Sequence, residues 1–258
     1  MTDDDILTAT LKAHYGAAAR QAAGGTVAAG TCCGPTADAC SSPATDEPFG
    51  AGLYSPEQLA ELPEGAVAGS IGCANPVALA DLAPGEDVLD LGSGGGIDVM
   101  LSARRVAPGG RAYGVDMTAD MLELARANQA RAGVANAEFL DGRIEDVPLP
   151  DAAVDVVISN CVVNLSADKA AVFAEAARVL RPGGRLAIAD VVTDRPSDPA
   201  RLGDPAAWAG CIAGAITRDR YRVLLADAGF VDIEITDDHP VTEGQWSVFV
   251  RARIPQDR

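Results

Sequence analysis

The sequence is poor in several features that mark other classes of protein. It has 20 lysine and arginine residues against 37 aspartate and glutamate residues, which gives a formal net charge of −17. Such a charge repels the phosphate backbone of nucleic acids and anionic membrane surfaces, and no local basic patch offsets it. No uncharged apolar run reaches the roughly 18 residues needed to cross a bilayer. We therefore expect neither nucleic acid nor a membrane as a partner.

The amino-terminal residues also lack the pattern of a secretory signal. The sequence begins Met-Thr-Asp-Asp-Asp, with neither a positive region nor an apolar core. We therefore expect a cytoplasmic protein. In that reducing compartment, the six cysteines are better explained by thiols that bind a metal or undergo redox chemistry than by structural disulfides.

Three stretches of the chain differ in pattern. Residues 1–75 are predicted to form an N-terminal helix, a mobile loop rich in cysteine and small residues, and a lid-like segment. Residues 76–195 alternate apolar strands with helices of about a dozen residues, which predicts right-handed crossovers and a parallel sheet. Residues 196–258 are predicted to contribute an insertion and two extended runs that pair antiparallel at the sheet edge.

The first predicted strand runs into a glycine loop, Gly92-Ser93-Gly94-Gly95-Gly96. Residues without side chains leave room for a ligand to approach the backbone. Asp116 follows the last glycine by about 20 residues, the spacing of a carboxylate that accepts both hydrogen bonds of a ribose diol. Dinucleotide sites share such loops, but Asp90 at the strand end favours S-adenosylmethionine (SAM). A carboxylate there tolerates the cationic methionyl end of SAM and repels a pyrophosphate.

With Asp141-Gly142 and the run Arg181-Pro182-Gly183-Gly184, these residues resemble the Rossmann-like class I SAM-dependent methyltransferases. The resemblance implies an α/β fold with a mostly parallel seven-stranded sheet, helices on both faces and an antiparallel edge strand. Its expected SAM-binding residues are Asp90, Gly92, Gly94, Gly96, Asp116, Met117, Ile144, Glu145 and Asn160.

Three cysteines occur where such a fold presents its acceptor: Cys73 before the core, Cys161 after the fourth strand, and Cys211 in the later insertion. The runs Gly72-Cys73-Ala74-Asn75-Pro76, Ser159-Asn160-Cys161-Val162-Val163-Asn164-Leu165 and Trp208-Ala209-Gly210-Cys211 resemble the arsenite methyltransferases. Ala74 departs from the glycine that family members commonly carry there. The resemblance implies that the three thiols bind trivalent arsenic.

The same resemblance implies that a cysteine of the loop takes part in thiol exchange, with thioredoxin or glutathione as the reductant. Cys32 and Cys33 are favoured for this role, and Cys40 competes with them. The substrates would be arsenite and methylarsenite. Trivalent arsenic is soft and thiophilic, and three sulfur ligands leave its lone pair available as the nucleophile. Catalysis then depends on positioning rather than on a general base, consistent with only two histidines.

The same residues leave two alternative functions open. Each cysteine taken alone could be a small buried hydrophobic residue of the core. The chain would then methylate carbon or oxygen of a small metabolite, such as a quinone precursor, and would need a positioned base that the sequence does not reveal. The second alternative is an inactive methyltransferase fold that senses metalloids, against which the intact SAM motif argues.

Overall fold

The computed structural model of the protein describes residues 3–24, 53–68, 72–196, 208 and 213–257. Of the cysteines predicted to act chemically, Cys73 and Cys161 are described. Cys32, Cys33, Cys40 and Cys211 lie outside the described residues.

A mixed β-sheet forms the centre of the fold. Its strands are β1 (Val88–Leu91), β2 (Ala112–Asp116), β3 (Ala137–Asp141), β4 (Val154–Asn160), β5 (Leu180–Thr193), β6 (Ile216–Thr217), β7 (Val231–Thr242) and β8 (Gln245–Arg253). Their order is β3-β2-β1-β4-β5-β8-β7, with β6 paired to β5. Among these described strands, β8 alone runs opposite to the direction of the others. The predicted α/β class is confirmed.

The two extended runs predicted to pair antiparallel at the sheet edge do so: β7 is the edge strand, and β8 lies one place inside it. Residues of β8 pair with β5 on one side and with β7 on the other. Val248, Val250 and Ala252 alternate along β8 and are buried, as expected of an inner strand. The short β6 is an addition to the seven strands predicted.

The helices are α1 (Asp3–Ala23), α2 (Pro56–Ala60), α3 (Glu64–Ala68), α4 (Pro76–Leu79), α5 (Ile97–Val106), α6 (Ala119–Ala132), α7 (Lys169–Val179) and α8 (Arg218–Asp227). Ser55 caps α2: its hydroxyl accepts from the Gln58 N–H, and the Gln58 side chain accepts from the Ser55 N–H. This reciprocal pair satisfies two otherwise unbonded donors at the start of α2.

The N-terminal helix packs onto the core along its whole length. Leu7 and Leu11 are buried near the ends of the central strands, and Ala18, Ala19 and Ala22 pack against α6. Leu7, Leu11 and Tyr15 recur every fourth residue, the spacing of one face of a helix. Within the described part of the chain, no helix combines the length and apolarity that a membrane crossing requires.

Candidate functional site

A cleft of about 1050 Å³, part of it open to solvent, lies at the carboxyl ends of β1, β2 and β4. Its walls come from the glycine loop, the segment after β3, the residues after β4, and α1. In open parallel sheets, ligands bind at this end because the loops that follow the strands converge there. The cleft is therefore the candidate site.

Three glycines of the loop, Gly92, Gly94 and Gly96, have positive φ angles, which residues with side chains rarely adopt. Gly94 has a φ of 50°, and a Cβ atom there would meet nothing within 4 Å, so its backbone is open to a ligand in the cleft. Gly96 has a φ of 87°, and its Cβ would come within 2.7 Å of the Phe139 ring. Gly96 thus allows close packing behind the loop, whereas Gly92 and Gly94 line the cleft.

Asp116 fastens the loop to the end of β2. One carboxylate oxygen accepts from the Gly94 N–H at 2.9 Å, and the other accepts from the Thr118 N–H at 2.8 Å. Burial raises the pKa of Asp116 above its ordinary value, and these two hydrogen bonds act against that rise. Asn128, which sequence reasoning missed, supports the loop from α6 by donating to the Gly95 carbonyl at 3.0 Å.

The segment after β3 forms the opposite wall. Ile144 and Glu145, which are expected to bind SAM, line the cleft together with Met117. Glu145 accepts from Ser166 Oγ and from Arg143 Nε. Arg143 in turn donates to Thr8 Oγ1 at 2.9 Å, so this wall is joined to α1.

The buried carboxylates of Asp90 and Asp98 lie together in the cleft. With Tyr54, which is hydrogen-bonded to Asp98, they form a group that we call the acidic corner. The Tyr54 hydroxyl donates to the Asp98 carboxylate at 2.9 Å, and Asn160 Nδ2 donates to the same carboxylate at 3.2 Å. Burial raises the pKa of Asp98 to about 6, and those two hydrogen bonds oppose the rise. Burial and repulsion by Asp98 and Asp116 raise the pKa of Asp90 well above its ordinary value. Asp98 and Tyr54 were not identified from sequence.

Two of the predicted arsenic-binding cysteines lie in one apolar group, which we call the thiol cluster. It consists of Leu7, Leu11, Cys73, Ala74, Cys161, Leu165, Ala189, Val191, Trp208, Ala213 and Ala215. Cys73 is fully buried, and Cys161 is 2% exposed and lines the cleft beside the glycine loop. The described residues alone contain no group of three or more metal-ligating side chains.

Cys161 adopts a backbone conformation that is rare for its residue type. Its φ is 62°, in the left-handed region that β-carbon sterics disfavour, and its N–H donates to the Ala189 carbonyl at 2.8 Å. Outliers of this kind concentrate at functional sites. The conformation turns the chain sharply at the carboxyl end of β4, directly after Asn160.

A buried polar group lies behind the thiol cluster and was not predicted. The Tyr221 hydroxyl donates to Asp190 Oδ2 at 3.3 Å, and burial raises the pKa of Asp190 to about 7. Burial lowers the pKa of Lys169 to about 8, and its ammonium donates to the Ser166 carbonyl at 2.8 Å. Lys169 also lies 5.3 Å from the ring centroid of Trp208. Burial, Asp190 and then the two cysteines raise the pKa of Tyr221 above its ordinary value.

The chain is similar to known methyltransferases. A family model described as a methyltransferase domain matches residues 82–229. An arsenite methyltransferase of Halobacterium salinarum is 46% identical over 214 residues, covering 83% of this chain and 53% of that protein. An arsenite methyltransferase of Aquipseudomonas alcaligenes is 40% identical over 62% of this chain and 49% of its own length. The chain thus spans about half the length of these curated relatives.

A solved structure gives a fuller match. The arsenic(III) S-adenosylmethionine methyltransferase of Chlamydomonas reinhardtii superposes with a TM-score of 0.64 and is 33% identical. The match covers 77% of this chain and 72% of that structure.

Proposed function

Because the chain belongs to the methyltransferase-domain family and, within it, to the arsenite methyltransferases, we propose that it transfers a methyl group from SAM to trivalent arsenic. The observation that carries the proposal is the position of Cys161, which lines the same cleft as the glycine loop and Asp116. A soft thiol ligand and the predicted cofactor loop thus share one space. Transfer of the methyl group to the arsenic lone pair would give pentavalent methylated arsenic, and two thiols, oxidised to a disulfide in the same step, would reduce it to methylarsenite.

The cleft residues fit SAM chemically. Its positively charged methionyl end suits the acidic corner, where Asp90 Oδ1 is buried without a hydrogen-bond partner among the described residues. Asp116 would accept from the ribose, while Met117, Ile144 and Glu145 would lie beside the adenine. Gly92 and Gly94 leave room for the methionyl chain, and Asn160 would lie next to it. When bound, SAM supplies an electrophilic methyl group.

The thiol cluster suits the proposed acceptor. Cys73 and Cys161 would bind arsenic as thiolates, and Cys211 would provide the third sulfur. Trp208 and Ala213, which flank Cys211 in the sequence, both belong to the thiol cluster. Three sulfurs leave the arsenic lone pair directed away from its ligands, so the protein needs to orient that lone pair rather than remove a proton. The apolar surroundings keep competing water away.

Return of the product to the trivalent state requires a reductant. We assign this exchange to a loop cysteine, with Cys32 and Cys33 favoured over Cys40, and with thioredoxin or glutathione as the external thiol. Neither a metabolite methyltransferase nor an inactive sensor is favoured, since these relatives carry the name arsenite methyltransferase.

The proposal is tested by incubating the full chain with SAM, arsenite and a thiol, then separating the arsenic species by chromatography. We expect methylarsenite in the wild type and, at a SAM concentration near the wild-type dissociation constant, much less in Asp116→Ala, which keeps both described thiols. SAM binding by calorimetry without any methylated arsenic would overturn the proposal. A carbon or oxygen acceptor would then be the better hypothesis.

A further inference from the structure

Asn160, the last residue of β4, holds the backbone that carries Cys73. Its carboxamide oxygen accepts from the Cys73 N–H at 2.9 Å and from the Ala74 N–H at 3.3 Å. Its nitrogen donates to the Ala74 carbonyl at 2.7 Å. The approach is close: a Cβ at Gly72 would lie 2.1 Å from Asn160 Nδ2, so a side chain there would displace the carboxamide.

The same carboxamide contacts the acidic corner of the cleft. Asn160 Nδ2 is 3.2 Å from Asp98 Oδ2 and 3.2 Å from the Tyr54 hydroxyl, which itself donates to Asp98. One side chain thus joins a backbone segment of the thiol cluster to the carboxylate that faces the cofactor. These partners are 62 and 87 residues away from Asn160 in the sequence.

An asparagine suits this position because it both donates and accepts. Its two amide hydrogens are shared among three acceptors, so the strength of one contact depends on the others. Engagement of Asp98 by a positively charged ligand would draw the carboxylate away from Asn160 Nδ2. The amide hydrogen released in that way would strengthen the contact with the Ala74 carbonyl and steady Cys73.

Resting on the proposed function, we infer that Asn160 is a positioning residue that couples the two ligands of the enzyme. Binding of the cofactor at Asp98 orders the Cys73 backbone through Asn160, and arsenite therefore binds more tightly to the cofactor complex than to the free protein. By linkage, arsenite strengthens cofactor binding by the same factor. Neither ligand needs to touch the other.

The test measures the dissociation constant of arsenite for the full chain with and without saturating S-adenosylhomocysteine, the unreactive product of the cofactor. We expect a ratio of at least about 5, the lower end of usual coupling between two sites. The reciprocal titration should give the same ratio. Binding of both ligands with a ratio near 1 would overturn the inference and leave the proposed function standing, whereas absence of arsenite binding would count against the function itself.

Asn160→Ser should bring the ratio close to 1. Two matched variants each remove one buried side-chain hydrogen bond on a single side. Asn128→Ser frees the Gly95 carbonyl of the glycine loop, and Ser247→Ala removes the 3.4 Å contact with the Cys73 carbonyl. Asn128→Ser should weaken binding of the cofactor, and Ser247→Ala should weaken binding of arsenite. Both variants should preserve the ratio of the two arsenite dissociation constants. A ratio unchanged in Asn160→Ser, with native circular dichroism, would overturn the inference.

A second measurement on the wild type decides the question if Asn160→Ser does not fold. Cys73 is buried behind the cleft rather than in its wall, so a bound cofactor does not simply cover it. Alkylation of Cys73, followed by peptide mass spectrometry, should slow at least about fivefold when S-adenosylhomocysteine is present. An unchanged rate would contradict the proposed coupling.

Discussion

The cofactor side of the cleft and the thiol cluster are built by opposite means. On the cofactor side, carboxylates and backbone N–H groups from neighbouring strands hold each other by hydrogen bonds, as Asp116 does with Gly94 and Thr118. The thiol cluster gathers apolar residues from Leu7 to Ala215 around two cysteines. A charged cofactor needs fixed polar partners, whereas a soft metalloid needs sulfur in a dry space. The contrast predicts that a substitution on the cofactor side weakens mainly SAM binding, and that a substitution in the thiol cluster weakens mainly arsenite binding.

Replacing a cysteine of the thiol cluster by serine should produce the largest effect. The change should slow arsenite methylation and leave SAM binding unaffected. Cys161→Ser and Cys73→Ser should each slow arsenite methylation by at least about 100-fold, the upper range for residues that merely support the ligands of a metal. The hard hydroxyl is a poor ligand for arsenic. Chromatography of arsenic species gives the rate, and calorimetry should show SAM affinity retained.

The methylated substrate sharpens this test. Methylarsenite has only two positions for thiolates, so one cysteine can become dispensable, and we expect this of Cys73, which precedes the central sheet. Cys73→Ser should therefore recover activity on methylarsenite, whereas Cys161→Ser should not. Full activity of either variant on arsenite would contradict the thiolate site.

Removal of the Asp116 carboxylate should give the next largest effect, on the cofactor side. Asp116→Ala loses the proposed ribose contact and the anchor of Gly94, and charge-assisted hydrogen bonds contribute roughly 1.5 to 3 kcal/mol each. SAM affinity should fall by about 10- to 100-fold in calorimetry. Arsenite affinity in the absence of SAM should be unchanged, and a parallel loss would show that the two sides are not separable.

The two sides also differ in how far the sequence predicts them. The glycine loop and Asp116 form a short pattern with fixed spacing, and Cys161 follows directly from the end of a parallel strand. Asp98 and Tyr54 were missed because their hydrogen bond joins residues 44 positions apart, which no local pattern records. Residues that belong to a local sequence motif could therefore be identified, whereas residues brought together only by the packing of distant segments could not.

The pH dependence of cofactor binding should distinguish the acidic corner from the thiol cluster. Burial raises the pKa of Asp98 to about 6, so the side chain is neutral below that pH and negative above it. Affinity for a cationic ligand should therefore rise between pH 5 and pH 7, by up to about tenfold per unit while Asp98 is protonated. Calorimetry of SAM with wild type and Asp98→Asn tests this, because the variant should show a flatter profile. A profile that is identical in the two proteins would assign the titration to another group.

The smallest effect should come from an ion pair that fastens α1 to the cofactor side. Arg20 Nη1 contacts Asp120 Oδ2 of α6, but the Arg20 side chain is 62% exposed and the pair is screened by solvent. Arg20→Ala should thus lower the free energy of unfolding by no more than about 1 kcal/mol, and added salt should remove the difference. Denaturant titration measures it. The helix owes its position to Leu7 and Leu11 in the thiol cluster and to the alanines against α6. A loss well above that value would mean that polar contacts, rather than apolar burial, hold α1 over the cleft.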